Sequence, residues 1–367
     1  MKFVVPKETL SKLITNIQNI VSHKPTIPIL SNFLIEASDG ELTVTATDLT
    51  VGIRCQGEAK VEEEGAITLP AKRFFQLTKE LTVPSLEIKS SDGELSEVVA
   101  GSSHFKFRGM HHKEFPSLPD LNAATAIKMS QKNLKEMIFR TAFAASREDS
   151  RYVLTGILLK IENKRALFVG ADGKRLAEAF VELEIDGDVK GEYIIPLKAV
   201  EEIYKSLSDK DEATLFLMPD KVAVEVNKTL IVTKLLSGAY PDFKRIIPEK
   251  LDTTVSLHRE ELISLLRQVS LFTDEENQSA RFLLTKGALE LKANNSTIGE
   301  GQVSMPANYE KEPFAIAFNP NIFLDVLRHS RSEVIKLGLN DPFNPGVITD
   351  ESTARFVIMP MRLNEAS

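Results

Sequence analysis

The side chains best equipped for chemistry are few. His111 and His112 are adjacent, and imidazoles are common metal ligands. Read as part of a strand, however, neighbouring side chains point to opposite faces, which sets the pair against joint ligation. Asp48 and Asp172 recur at matching points of the chain, and paired carboxylates can work as general acid and base. A third matching point carries Asn295, which cannot ionise, so the recurrence favours a turn or cap. Cys55 is the only cysteine. One thiol forms neither an internal disulfide nor a cysteine-based metal site, and it fits a reducing compartment. The chain has no P-loop, no Gly-x-Ser-x-Gly, no zinc spacing and no dinucleotide fingerprint. The expectation is therefore a protein that binds, with no cofactor and no catalytic centre; a hydrolase on a repeated scaffold is the competing reading.

The matching points belong to a threefold repeat. Segments opening at Phe3, Ile127 and Val255 each begin as a short alternating strand and then turn helical. Phe3 and Val5 correspond to Ile127 and Met129, and to Val255 and Leu257. The first helical apolar trios are Leu10, Leu13, Ile14; Leu134, Met137, Ile138; and Leu262, Leu265, Leu266. From strand start to first helical leucine the spacing is the same in all three copies. Fixed-period self-similarity of this kind marks one structural unit written several times. The repeats are set at 1–122, 123–248 and 249–367. Each reads strand, helix, several strands, second helix, more strands. Asp39-Gly40 and Asp92-Gly93 are hairpin signals, and Pro6 suits a first helical position. The class is α+β: antiparallel sheet with two helices on one face in each copy.

Bulk properties bound what such a chain can do. It has 367 residues, 43% hydrophobic and 26% charged, an ordinary globular composition. No run of 18 apolar residues suggests a spanning helix. The N-terminus, Met1-Lys2-Phe3-Val4-Val5-Pro6, lacks the apolar core of a secretion signal, and a cytoplasmic location is expected. Net charge is −7, but it is not evenly spread. The six predicted helices (7–21, 71–81, 131–145, 197–207, 259–272 and 321–330) hold thirteen Lys/Arg and eight Asp/Glu, a net +5 against −12 for the remainder. The excess lies in the first two copies. A diffusely positive helix layer suits phosphate contact without base readout.

Five segments carry a family resemblance: Lys24-Pro25-Thr26-Ile27-Pro28-Ile29-Leu30, Ser150-Arg151-Tyr152-Val153-Leu154-Thr155-Gly156, Ala171-Asp172-Gly173-Lys174-Arg175-Leu176-Ala177, Tyr240-Pro241-Asp242-Phe243 and Val357-Ile358-Met359-Pro360-Met361-Arg362-Leu363. In this order, on a threefold repeat, the chain resembles the bacterial DNA polymerase III beta subunit, the sliding clamp, over essentially its whole length. The resemblance implies a head-to-tail homodimer whose six repeats form a ring around double-stranded DNA. It also implies a clamp loader and a replicative DNA polymerase as partners, with other proteins that carry a clamp-binding peptide, and no membrane.

Three sets of residues follow from the resemblance by position. A partner-peptide pocket is expected from Leu154, Gly173, Arg175, Leu176, Pro241, Arg245, Ile246, Val357, Met359, Pro360, Met361 and Arg362. These make a Met- and Leu-rich surface with basic edges, which suits a short peptide with apolar anchors. DNA-facing positions are expected at Lys24, Arg73, Arg147, Tyr152 and Lys198. A subunit interface is expected at Phe105 and Phe107 on one side and Leu271 and Phe272 on the other. The chain departs from the family at Ala171, where threonine is frequent, at Lys174, where histidine is common, and at Val153, where a second tyrosine is frequent.

Overall fold

The computed structural model describes residues 1–21, 25–91, 94–185, 187–274 and 278–362. The first repeat runs β1 (Lys2–Pro6), α1 (Lys7–Ile17), β2 (Asn32–Ser38), β3 (Glu41–Thr47), β4 (Val51–Glu58), β5 (Lys60–Glu63), β6 (Gly65–Pro70), α2 (Ala71–Glu80), β7 (Ser85–Ser90), β8 (Leu95–Ala100) and β9 (Ser103–Arg108). The second runs β10 (Thr125–Ser130), α3 (Gln131–Thr141), β11 (Gly156–Glu162), β12 (Arg165–Ala171), β13 (Arg175–Glu182), β14 (Gly191–Pro196), α4 (Leu197–Ser206), β15 (Glu212–Leu217), β16 (Lys221–Val226) and β17 (Thr229–Lys234). The third runs β18 (Thr253–His258), α5 (Arg259–Ser270), β19 (Ala280–Thr285), β20 (Ala288–Asn295), β21 (Gly299–Pro306), β22 (Phe314–Phe318), α6 (Pro320–His329), β23 (Val334–Leu339), β24 (Gly346–Thr349) and β25 (Arg355–Ile358). Apart from the inserted β5, the order is the same three times.

Each repeat divides its strands between two antiparallel sheets, a finer arrangement than the single sheet expected. Neighbouring repeats then share sheets. Strands β2, β3, β4 and β6 join β10, β15, β16 and β17 in one eight-stranded sheet, through the β4–β17 ladder. Strands β11 to β14 join β18, β23, β24 and β25 in a second, through β13–β25. Two smaller sheets remain, β5-β1-β7-β8-β9 and β21-β20-β19-β22. Sheet sharing also draws the compact units: Met1–Leu134 with Glu201–Leu235, and Lys135–Val200 with Leu236–Ser367.

Within the first unit α1 buries Leu10, Leu13, Ile14 and Ile17 and packs on β3, β4 and α2. Its core continues through Phe33, Phe74 and Phe107, whose ring centroids lie 5.6 and 5.4 Å apart in edge-on contacts. Within the second unit α5 packs on β20, β21 and α6. There Phe282, Phe318 and Phe323 form a triangle with centroids 5.0 to 5.6 Å apart. Leu265, expected in the α5 trio, is half-buried, and Ile263 takes the inner place.

Several local expectations meet their outcome here. Asp39 and Gly40 form a two-residue hairpin with both φ positive, 49° and 77°, as Asp-Gly predicts. The hairpins at Asn163-Lys164 and Asn227-Lys228 have the same positive φ, but lysine in place of glycine hid them. Asp92 and Gly93 lie outside the described residues. Pro6 occupies the N-cap rather than the first helical turn. Helix α3 stops at Thr141, short of the expected 145, and tightens into a 3-10 turn over Ala142–Ala144. Gly170 permits that turn to lie close: a Cβ there would sit 2.2 Å from the Thr141 carbonyl oxygen.

Candidate functional site

The recurring carboxylates are turn-formers. Asp48 Oδ1 accepts the N–H groups of Thr50 and Val51, Asp172 Oδ1 those of Lys174 and Arg175, and Asn295 Oδ1 those of Thr297 and Ile298. Three identical side-chain turns launch β4, β13 and β21, so an amide serves as well as a carboxylate. His111 and His112 correct the strand expectation. They sit at a 3-10 turn with rings stacked 4.9 Å apart, and the Lys113 N–H donates to His111 Nδ1. Among the described residues, no three of His, Cys, Asp or Glu gather as a metal-holding group.

The expected pocket residues converge in the second unit. Leu154, Leu176 and Val357 are buried in one apolar cluster with Leu158, Val169, Ala171, Ile194, Leu236, Phe243 and Ile247. The β13–β25 ladder sets Leu176 opposite Val357 and Arg175 opposite Ile358. Beyond β25 the chain stays anchored, since Met359 N–H donates to Lys174 O at 2.9 Å and Met361 N–H to Ala317 O at 2.8 Å. Met359 is nevertheless 38% exposed, with Pro360 and Met361 half-buried and Arg362 exposed. Pro241, Arg245 and Ile246 are exposed around the 3-10 turn Phe243–Ile246, whose Phe243 belongs to the buried floor. Met359 and Ile246, close in the chain to the floor residues Val357 and Ile247, are exposed apolar side chains. Leu363 lies outside the described residues.

Gly173 follows the Asp172 turn with φ +83°, a conformation that suits glycine. The Arg151 guanidinium lies over it, 2.6 Å from where a Cβ would stand. Asp149 holds Arg151 through both carboxylate oxygens. Arg151 and Tyr240 were not singled out as site residues. Tyr240 packs on the floor, donates to Val169 O at 3.5 Å, and has its phenol pushed above its ordinary value by burial. Only their place in the resembling segments marked them. The departure at Val153 also has a structural account: the side chain is half-buried against this same floor. Ala171 is buried in it, while Lys174 is exposed.

The expected DNA-facing residues fall on several separate elements. Arg73 is exposed on α2, with Nη1 3.5 Å from Gln76 Oε1. Lys198 is exposed on α4 and Arg147 in the segment after α3. Tyr152 opens a 3-10 turn and is 62% exposed. Lys24 lies outside the described residues. The observed helices retain all thirteen Lys/Arg and eight Asp/Glu, but two of the cations are not surface charges. Arg140 is buried, bonded to Glu136 at 2.7 Å and Asp350 at 2.5 Å. Arg259 donates to the Leu327 and Ser330 carbonyls at the end of α6.

The expected interface residues stand at open sheet edges. Phe105 and Phe107 are half-buried on β9, the edge of the five-stranded sheet. Phe272 lies against Gly301 of β21, the edge of the four-stranded sheet. Leu271 beside it is 71% exposed.

Three descriptions of the DNA polymerase III beta subunit match in order: the N-terminal domain over residues 1–119, the central domain over 128–242 and the C-terminal domain over 244–362. The chain is 53% identical to the beta sliding clamp of Chlamydia pneumoniae, with all of both chains covered. It belongs to the DNA polymerase III beta subunit family, the sliding clamps. The Haemophilus influenzae beta sliding clamp is 30% identical, covering 99% of this chain and all of the relative. Among solved structures, the DNA polymerase sliding clamp of Bacillus subtilis superposes with a TM-score of 0.95 at 27% identity, covering 99% of this chain and all of that one. A Pseudomonas aeruginosa sliding clamp bound to griselimycin gives the same score, identity and coverage. As a clamp the chain is a processivity factor of DNA replication, built from three tandem clamp domains. Among its described residues, no helix is long and apolar enough to cross a membrane.

Proposed function

We propose that two copies of this chain close head to tail into a ring around duplex DNA, and that the Met359–Ile246 surface tethers polymerases and other proteins by a short apolar peptide. The rule by which repeats join carries this reading. The last strand of the second repeat pairs with β4 of the first, and the last strand of the third pairs with β13 of the second. By the same rule the last strand of the first repeat, β9, has β21 as its counterpart. Both are open edges, and one chain ends where a second would begin. Such a heterologous contact repeated twice closes a dimer.

The same rule supports one register. Val51 pairs with Thr233 at one junction and Arg175 with Ile358 at the other. Val51 and Arg175 each stand three residues after a turn-forming aspartate, the place Ile298 holds after Asn295. Thr233 and Ile358 each precede a residue whose N–H bonds back to the neighbouring repeat, the place of Phe107 in β9. The expected pair is therefore Phe107 opposite Ile298 of the second copy. Ile298 is 65% exposed in the single chain.

In this reading the domains meet near residues 122 and 248, and the exposed helix cations, with Arg73, Arg147, Tyr152, Lys198 and Lys24, contact phosphates without reading bases. The protein works in the cytoplasm, is placed on DNA by a clamp loader, and catalyses nothing itself. Retention on DNA tests the ring. Once loaded, the protein is expected to stay on nicked circular duplex and to run off the ends of linear duplex. Equal loss from both substrates would contradict a topological link. For the groove, Met359→Ala is expected to weaken a peptide with two apolar anchors by about tenfold, or ~1.4 kcal/mol. Arg362→Ala combined with removal of residues 363–367 is expected to abolish that binding, measured by fluorescence anisotropy. Unchanged affinity in both would remove the groove assignment.

A further inference from the structure

The rim of the groove carries five cations, and three of them are already engaged by aspartates. Arg151 is held by Asp149, and Arg245 Nε lies 2.8 Å from Asp242. Arg175 is held twice: its Nε donates to Asp172 Oδ2 at 3.1 Å and its Nη1 to Asp325 Oδ2 at 2.8 Å. The Arg175 guanidinium also lies 5.2 Å from the Phe143 ring, on which His329 stacks at 4.0 Å. Asp172 belongs to the turn that launches β13, so its contact is local. Asp325 comes from α6, 150 residues along the chain. Its other oxygen faces Arg328 at 3.2 Å, and its backbone carbonyl bonds His329 Nδ1 at 2.7 Å. Nothing local to β13 requires this second carboxylate.

We propose that Asp325 is a positioning residue of the groove: with Asp172 it takes up the charge of Arg175, so that this arginine serves as a fixed wall and not as a receptor for peptide carboxylates. The inference rests on the peptide-groove reading above. A guanidinium bonded to two carboxylates and backed by an aromatic ring keeps three of its five N–H donors, but little net charge is left for a ligand. Selection at the rim then falls to apolar fit and to the exposed cations Arg151, Lys174, Arg245 and Arg362.

The test is a selectivity ratio measured on the full-length protein. Two acetylated hexapeptides are compared, each with two leucines and a phenylalanine, one carrying a glutamate and the other a glutamine at the same place. Asp325→Asn keeps the shape and the backbone carbonyl, but leaves Arg175 one carboxylate short. The expected result is a gain of about three- to fivefold for the glutamate peptide relative to its glutamine counterpart. Adding Arg175→Ala removes that gain, whereas adding Arg328→Ala leaves it. An unchanged ratio overturns the proposal, as does an equal weakening of both peptides, which is what a merely structural Asp325 would give. A gain that vanishes with Arg328→Ala and survives Arg175→Ala overturns it too. Binding of neither peptide by the unaltered protein would overturn the groove reading itself, before any variant is made.

Discussion

Ile298→Asp is expected to turn the dimer into a monomer of 40.8 kDa. Ile298 is largely exposed in the single chain, so the change leaves the fold of one copy intact. In the proposed pairing it would set a carboxylate opposite the apolar ring of Phe107. Burying an unpaired charge costs several kcal/mol, and about 3 kcal/mol is more than a hundredfold in a dissociation constant. A head-to-tail dimer contains the contact twice, so the effect is felt at both junctions. Leu271→Asp is expected to act in the same direction. Phe107→Asp is a poorer probe, because that ring also packs on Phe74 inside the fold. Sedimentation or light scattering reads the mass directly, and loss of retention on nicked circular DNA should accompany the monomer. A variant that keeps twice the chain mass would remove β21 from the interface.

The second large effect concerns the junction of the second and third repeats. Arg140 and Asp350 form a buried pair, with Asp350 also accepting from Ser330 Oγ, the Arg331 N–H and Ser352. Asp350→Ala strands the arginine with Glu136 alone, and is expected to cost about 3 kcal/mol or more in denaturant unfolding. Replacing both partners, Arg140→Met with Asp350→Leu, is expected to restore most of that loss, since the desolvation cost disappears with the charges. A double variant as unstable as the single one would mean that packing, not stranded charge, sets the penalty. The pH dependence has a definite sign. Burial works against ionisation of Asp350, but the Ser352 hydroxyl, the Arg140 guanidinium and two backbone N–H groups outweigh it and hold the carboxyl well below its usual range. Its stabilisation is therefore complete above the ordinary carboxylate value of about 4 and is lost as pH falls below it. Asp350→Asn should flatten that acid limb of the stability curve.

The same pair marks the limit of what periodicity can say. The helix carrying Arg140 is plain from its apolar spacing, and arginine in such a helix reads as surface charge. Its partner lies 210 residues away, in a segment with no pattern linking the two. Val153 behaves similarly. Its neighbour Tyr152 projects outward, while the 3-10 turn directs Val153 into the floor. The histidine pair was misplaced because a tight turn over three residues has no alternation to betray it. Lysine at positive φ in two hairpins was equally silent, since those turns are signalled by glycine.

What the residues determine by themselves is local and repetitive. Periods of 3.6 and 2 place helices and strands, turn chemistry fixes Asp48, Asp172 and Asn295, and recurrence of these marks announces one unit three times over. The charge asymmetry between helices and the rest is likewise a property of composition. Tertiary structure decided how each repeat's strands divide between two sheets and which strand of the neighbour completes them. It also decided that Arg175 is held from α6, and that β9 and β21 each stand at the edge of a sheet. Strand partners, unlike strands, leave no period in the chain: a ladder is specified by edges that meet only when the repeats are folded.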